Sequence, residues 1–423
     1  MKKVLVITYY WPPAGGPGVQ RWLKFVTYFS DFGVEPVVYI PKNPHYPLKD
    51  ESLFEDVPKD IKIIKHKIFE PYGLSKLISG RKTERISSGV ITQKNQSVLE
   101  RIMLWIRGNL FIPDARKFWV NPSVKFLGPI LEKEGIKTII TTGPPHSVHL
   151  IGLRLKEEFR IQWIADFRDP WTSIGYHKKL KLTLPAQKRH KQLEHIVLNT
   201  ADKIVVTSKT TKQEFRAITS KPIKVITNGF DQQKSVQTSL DEKFTIAHIG
   251  SLLTNRNPIN LWKVLSELID ENEDFRRQIQ LNFVGVVGQD ILDSLEEFGL
   301  REYVNIMGYV SHEEAVSYQH KSQVLLLVEI DSKETMGIIP GKFFEYLKAG
   351  RPILGIGSDG WEVAEMIRET ASGEVFDYLE LSQLKNVLLN WFQLFKNNSL
   401  AISSTNIDQY SRRELTGQLV EYI

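Results

Sequence analysis

A chain of 423 residues, 42% hydrophobic and 25% charged, holds enough apolar material for two or three packed domains and excludes a disordered tail, a collagen or a small stapled scaffold. It contains no cysteine, which excludes disulfides, thiolate nucleophiles and cysteine-bound zinc or iron–sulfur centres. The net charge of +6 conceals an asymmetry: residues 1–200 hold 32 Lys and Arg against 18 Asp and Glu, whereas residues 201–423 hold 23 against 31.

A basic half followed by an acidic half predicts two domains with different partners. Nucleic acid, anionic lipid, a phosphorylated acceptor and plain solvent all suit the basic half. The opening apolar run breaks at Tyr9-Tyr10-Trp11-Pro12-Pro13, too early for a signal peptide, and no stretch approaches the roughly 18 to 20 apolar residues that span a bilayer. A cytoplasmic protein is expected, soluble or lying on a membrane.

Residues 3–9 are rich in branched apolar side chains, the mark of a buried parallel strand. A Gly/Pro loop follows at 12–18. Helical spacing then runs through Trp22, Leu23, Phe25, Val26 and Phe29 to Gly33, before a second strand at 34–40. This β-loop-α-β unit predicts a doubly wound α/β sheet. Residues 76–96 are a basic, polar excursion. Residues 98–111 spell a helix with Ile102, Leu104, Trp105 and Leu110 flanked by Arg101 and Arg107. That composition suits an interfacial membrane helix, but packing on its own domain is the favoured expectation.

Further strands are predicted at 137–142, 161–166, 203–208 and 221–228, with a helix at 147–159. Polar residues 231–242 read as a linker. A second α/β series follows, with strands at 244–249, 279–286, 304–307, 324–328 and 353–356. Its helices fall at 258–272, 290–298, 312–320 behind the capping Ser311, and 342–349.

The first loop, Gly15-Gly16-Pro17-Gly18, lets backbone N–H groups approach an anion at a helix N-terminus. A dinucleotide site is disfavoured, because Arg21 replaces the third glycine and Tyr39-Ile40-Pro41 lacks the ribose-binding acid. Gly143-Pro144-Pro145-His146 stands at a strand's carboxyl end, where open sheets place ligands. His146 and His149 are too few for a metal site. Asp166, Arg168 and Asp169 form a loop that either positions a hydroxyl or makes a structural acid–arginine pair. In Pro340-Gly341-Lys342-Phe343-Phe344-Glu345, Lys342 and Glu345 share a helix face. Lys342 there can neutralise phosphate and Glu345 can accept ribose hydroxyls; an exposed ion pair between them is the plain alternative.

Taken with Asn228-Gly229-Phe230-Asp231, Ile249-Gly250-Ser251-Leu252, Arg256 and Gly308-Tyr309-Val310, the segment Pro340-Gly341-Lys342-x-x-Glu345-Tyr346-Leu347-x-x-Gly350-x-Pro352 resembles the retaining glycosyltransferases of family 4. The resemblance implies a GT-B fold, two Rossmann-like doubly wound domains facing a cleft. It implies an acceptor-side domain at 1–231, a linker at 232–242, a nucleotide-sugar domain at 243–400, and a helix within 401–423 returning to the first domain.

By the same resemblance Glu345 binds the donor ribose, Arg256 and Lys342 face the diphosphate, Gly308 and Val310 border the base, and the loop with Gly16 and Gly18 closes over the donor. Asp166 and His146 become positioning residues. Gly337 stands where the family usually carries a glutamate, Ser251 where it often has an arginine, and Asp166 near a commonly found histidine. The implied reaction moves a sugar from a nucleotide diphosphate sugar to an acceptor hydroxyl, with retention, without metal or cofactor, in surface polysaccharide or glycoconjugate assembly. Its implied partners are the donor and a saccharide or lipid-linked acceptor, and no nucleic acid. Separately, the positive excess of residues 1–200 predicts that this half faces an anionic acceptor or a membrane through Lys178, Lys179, Lys181, Lys188, Arg189 and Lys191 together with residues 98–111, so peripheral contact at the membrane's inner face is expected. A nonhydrolysing sugar-nucleotide epimerase and a catalytically degenerate sugar-nucleotide-binding protein are the alternatives.

Overall fold

The structure, a computed structural model, describes residues 1–71, 98–173, 177, 180–231 and 238–423. The basic excursion at 76–96, Lys178, Lys179 and residues 232–237 of the expected linker lie outside the described residues. The chain divides into two compact units, Met1–Asn228 with Arg412–Ile423, and Gly229–Ser411.

The first unit is built on a seven-stranded parallel sheet: β1 (Lys2–Thr8), β2 (Val34–Pro41), β3 (Lys62–His66), β4 (Thr138–Gly143), β5 (Gln162–Phe167), β6 (Lys203–Val206) and β7 (Ile223–Val225). Its spatial order is β3-β2-β1-β4-β5-β6-β7, so the direction of travel reverses between β1 and β4. Val6 sits between Val38 and Ile140 in that register. The accompanying helices are α1 (Pro17–Tyr28), α2 (Val98–Leu110), α3 (Val120–Glu134), α4 (Ser147–Glu158), α5 (Leu184–Thr200) and α6 (Lys209–Arg216). Proline at the first position of α1 costs nothing, because that N–H has no intrahelical partner.

The second unit has a six-stranded parallel sheet of β8 (Phe244–Ile249), β9 (Ile279–Val284), β10 (Val304–Gly308), β11 (Val324–Val328), β12 (Ile353–Ile356) and β13 (Gly373–Phe376). The order β10-β9-β8-β11-β12-β13 repeats the first sheet's winding, with reversal between β8 and β11. Helices α7 (Ile259–Glu271), α8 (Glu273–Gln278), α9 (Gln289–Glu297), α10 (His312–Lys321), α11 (Gly341–Ala349), α12 (Glu362–Glu369) and α13 (Ser382–Lys396) complete it.

Successive apolar side chains of β8 and β11 alternate between two cores. Phe244, Ile246 and Leu326 enter one core, whereas Ala247, Ile249, Leu325 and Leu327 enter another. Both faces of this sheet are therefore buried. The chain ends in α14 (Arg412–Tyr422), whose Leu415 and Leu419 join Ile423 in the first unit's core. Among the described residues no helix is long and apolar enough to cross a membrane.

Two differences from the sequence reading concern local structure. The strand expected at 221–228 pairs over Ile223–Val225 alone. The helix expected at 98–111 does pack on its own unit, with Leu104 buried and Gly108 against Leu180 and Leu182, but it keeps an apolar stripe in solvent.

Candidate functional site

In each unit the candidate residues gather where strand order reverses, at the carboxyl ends of β1 and β4 in the first and of β8 and β11 in the second. Loops there diverge, leaving backbone groups and side chains room to meet a ligand.

In the first unit, Gly16 has φ 104° and open space where a Cβ would stand. A Cβ on Gly18 would overlap Nη1 of Arg168, so glycine leaves the space that this guanidinium fills beneath the start of α1. Arg168 donates to the carbonyls of Gly143 and Pro144, and the Arg168 carbonyl accepts from Oγ1 of Thr207.

Asp166 is fully buried. Its Oδ1 accepts from Nη2 of Arg21 at 3.1 Å and its Oδ2 from Nε1 of Trp22 at 2.7 Å. The carboxylate thus ties α1 to β5. His146 is also buried, stacked on Trp171 with ring centroids 4.7 Å apart, and among the described residues neither ring nitrogen has a hydrogen-bond partner. Burial and the neighbouring His149 hold its pKa well below the usual imidazole range. His149 bonds Oγ1 of Thr141 at 2.9 Å, and burial lowers it to about 3.

Sequence reasoning missed an ionic cluster beside this loop. Arg116 pairs with Glu70 at 3.1 Å, Tyr9 donates to the same carboxylate at 2.8 Å, and the His45 N–H donates to it at 2.7 Å. These four residues come from distant segments with no shared spacing, so no local signal announces them.

In the second unit, Phe343, Phe344, Tyr346 and Leu347 bury one side of α11. Tyr346 bolts the helix down, its Oη accepting the Ile249 N–H at 2.9 Å. That anchoring lifts Lys342 and Glu345 to the opposite side, and the two make no ion pair. Oε2 of Glu345 instead accepts from Gln319 of α10 at 2.7 Å. Nζ of Lys342 lies 3.0 Å from Nε2 of His248 and 2.9 Å from where a Cβ of Gly250 would stand. Nδ1 of His248 is 3.0 Å from the Leu326 carbonyl, which can only accept. The imidazole proton is therefore on Nδ1, and Nε2 accepts from the ammonium.

Burial and the Arg256 charge push the Lys342 pKa down to about 8, against the pull of Glu329 and Glu345. Arg256 is itself paired with Glu329 at 2.9 Å. Glu329, at the end of β11, is a second residue that no motif revealed. Its Oε1 also accepts the Ile330 N–H, while Oε2 is buried without a partner among the described residues.

Gly308, at φ 68°, bonds the Gly285 N–H and leads to Tyr309, which is almost wholly exposed, and Val310. Gly337 lies in a turn between β11 and α11. The structure thus brings Lys342, Arg256, His248 and Glu329 together and adds Gln319 to Glu345. Among the described residues, no three His, Asp or Glu side chains are placed to hold a metal ion.

No protein-family model matches the chain, and no curated protein does. Solved structures do match along its whole length. HepE from Anabaena, in complex with UDP, has a TM-score of 0.61 at 12% identity, covering 100% of this chain and 99% of its own. The lipopolysaccharide outer core galactosyltransferase WaaB gives 0.56 at 14%, covering 100% and 99%. A putative UDP-N-acetylglucosamine 2-epimerase from Listeria monocytogenes gives 0.54 at 14%, covering 99% and 95%. At such identities the likeness speaks for the fold, and the fold is GT-B.

Proposed function

We propose that the chain is a glycosyltransferase that takes a sugar from a nucleotide diphosphate sugar. One observation carries this reading. The Lys342 ammonium is largely desolvated, touches no carboxylate among the described residues, and rests on a neutral imidazole beside Arg256 at the end of β8. A buried cation with no carboxylate in contact is costly even with Glu329 and Glu345 nearby, and an incoming diphosphate removes the cost. The N-terminus of α11 adds its dipole at the same place. Glu345, held by Gln319, suits the ribose hydroxyls, and Gly308 and Val310 suit the base. The UDP bound to HepE and the galactosyl transfer in the name of WaaB support the same class.

In the proposed reaction the bond between the sugar's anomeric carbon and the phosphate oxygen breaks, its electron pair stays on the diphosphate, and Lys342 and Arg256 meet the growing charge. The acceptor oxygen bonds the anomeric carbon and its proton goes to the departing phosphate on the same face, giving retention without a protein base, metal or cofactor. Residues 1–231 would hold the acceptor, residues 243–400 the donor, 232–242 the linker, and 401–423 would close back on the acceptor side. The work would be done in the cytoplasm, with peripheral membrane contact, in polysaccharide or glycoconjugate assembly.

The likeness to the Listeria protein favours a second reading, a nonhydrolysing epimerase, which needs acid and base groups around the sugar. Both oxygens of Asp166 are already committed, which weighs against that residue in such a role. Calorimetry with UDP-, GDP- and ADP-linked sugars, followed by product analysis, tests the proposal. Slow release of nucleotide diphosphate is expected. Sugar isomerisation would point to the epimerase, and saturable binding without turnover to a degenerate binding protein.

A further inference from the structure

Helix α2 has one side inside and one side bare. Leu104 and Gly108 face the unit, whereas Val98, Ile102 and Trp105, spaced i, i+4, i+7, are 71, 49 and 42% exposed. Leu110, at 56%, extends the stripe. Water-exposed aliphatic and indole groups at helical spacing mark a surface meant to be covered.

The stripe continues beyond the helix. Asn109 donates to the Lys181 carbonyl at 3.3 Å and accepts the Thr183 N–H at 2.7 Å, which sets the start of α5 beside the end of α2. Leu184, the first residue of α5, is 73% exposed. Below α2, Phe118 is exposed, with the Lys117 ammonium 5.3 Å from its ring centre.

Charge identifies what covers this face. Residues 171–193 contain six Lys and Arg and no Asp or Glu. Lys181, Lys188, Arg189 and Lys191 are exposed and form no ion pair among the described residues, and Arg189 bonds only the neutral Gln192. Arg101 stands exposed between the apolar positions of α2. An aliphatic stripe does not suit nucleic acid, and a cationic rim opposes a second copy of the same face.

We propose that α2 and the first turns of α5 dock on an anionic lipid bilayer, α2 lying in the interface plane. Ile102, Trp105 and Leu184 enter the acyl boundary, and Arg101, Lys188, Arg189 and Lys191 contact acidic headgroups. The inference rests on the peripheral membrane contact proposed above and gives it a surface; it is separable from the reaction, because none of these residues belongs to the donor cluster.

The test is sedimentation of the full chain with vesicles of equal phosphatidylglycerol and phosphatidylcholine, against phosphatidylcholine alone. Binding is expected to the anionic vesicles only, and to weaken with salt. Ile102→Ser/Trp105→Ser should lower it at least tenfold; Lys188→Glu/Arg189→Glu should lower it roughly five-fold or more per charge. All four positions are exposed, and melting curves confirm that each variant is folded. Quenching of tryptophan emission by brominated lipid should be reduced in the Ile102→Ser/Trp105→Ser variant. Equal recovery with neutral and anionic vesicles overturns the proposal. So does unchanged binding of the apolar variant, and so does light scattering showing a dimer that this variant dissociates, which would assign the face to a second copy.

Discussion

Nε2 of His248 and Nζ of Lys342 lie 3.0 Å apart, and the protein arranges for only the lysine to be charged. Burial and the lysine itself hold the His248 pKa far below the usual range. The imidazole is thereby an acceptor that offers the ammonium a hydrogen bond without cancelling its charge. The pair is a cation held ready, at the price of desolvation, for a ligand that brings the negative charge.

Affinity for a nucleotide diphosphate should therefore fall as pH rises through about 8, the pKa of Lys342 in the free protein. A bound diphosphate raises that pKa, so the interaction is complete below it, and binding takes up a proton above it. Calorimetry in buffers of differing ionisation enthalpy measures both effects. His248→Phe, which removes the acceptor but keeps the bulk, should shift the fall to lower pH, and His248→Gln should largely restore it. Affinity that stays level into the ordinary lysine range would refute the pairing's role.

Glu345→Ala should weaken bare nucleotide diphosphate and full donor alike, by about 2 to 3 kcal/mol, the worth of the two charge-assisted hydrogen bonds to ribose that the proposal gives this carboxylate. Gln319→Leu should cost about 1 kcal/mol, because it frees rather than removes the carboxylate. Lys342→Ala should act more on turnover than on donor affinity. Isothermal titration beside initial rates separates the three. Wild-type nucleotide affinity in Glu345→Ala would defeat the ribose assignment.

The Asp166 carboxylate predicts a stability defect. Asp166→Ala leaves the Arg21 guanidinium buried and unpaired and should cost about 3 to 5 kcal/mol in urea unfolding. A variant of wild-type stability with no turnover would instead place Asp166 in the chemistry.

Acid should loosen the first unit. His149 is neutral when folded, with its pKa lowered from 6.5 to about 3. A depressed histidine contributes fully above 6.5 and loses its contribution as pH falls below that value, about 2 kcal/mol by pH 5. Melting curves between neutrality and pH 5 should show the loss, and His149→Phe should reduce it by that amount, leaving the part due to the likewise depressed His146, His177 and His190. A melting temperature indifferent to pH over that range would contradict the buried, neutral state.

The α/β grammar was legible because the central strands are buried on both faces, so β11 and the middle of β1 read as unbroken apolar runs. Helix α11 was legible for a different reason, the Pro340-Gly341 entry and the Gly350 exit that bracket it. Helix α3 was missed because Gly128 and Pro129 lie inside it, and α5 because most of its surface is polar. The neighbours of Lys342 and Glu345 were beyond sequence altogether. Spacing predicts that residues three apart on a helix can meet, yet Lys342 finds His248, 94 positions away, and Glu345 finds Gln319, 26 positions away. Spacing reports which face two residues share, and tertiary packing decides which neighbour each one bonds.

The first unit is discontinuous, and this has a consequence for synthesis. Leu415, Leu419 and Ile423 fill part of its core, and Lys2 donates to the Ile423 carbonyl at 2.7 Å. A ribosome delivers those residues only after every residue of the second unit. The unit that is begun first is therefore completed last, and the nascent chain must carry an open apolar socket beside α1 while β8 through α13 emerge. Co-translational aggregation and chaperone capture should concentrate on that socket, and a chain halted at Ser411 should display it permanently.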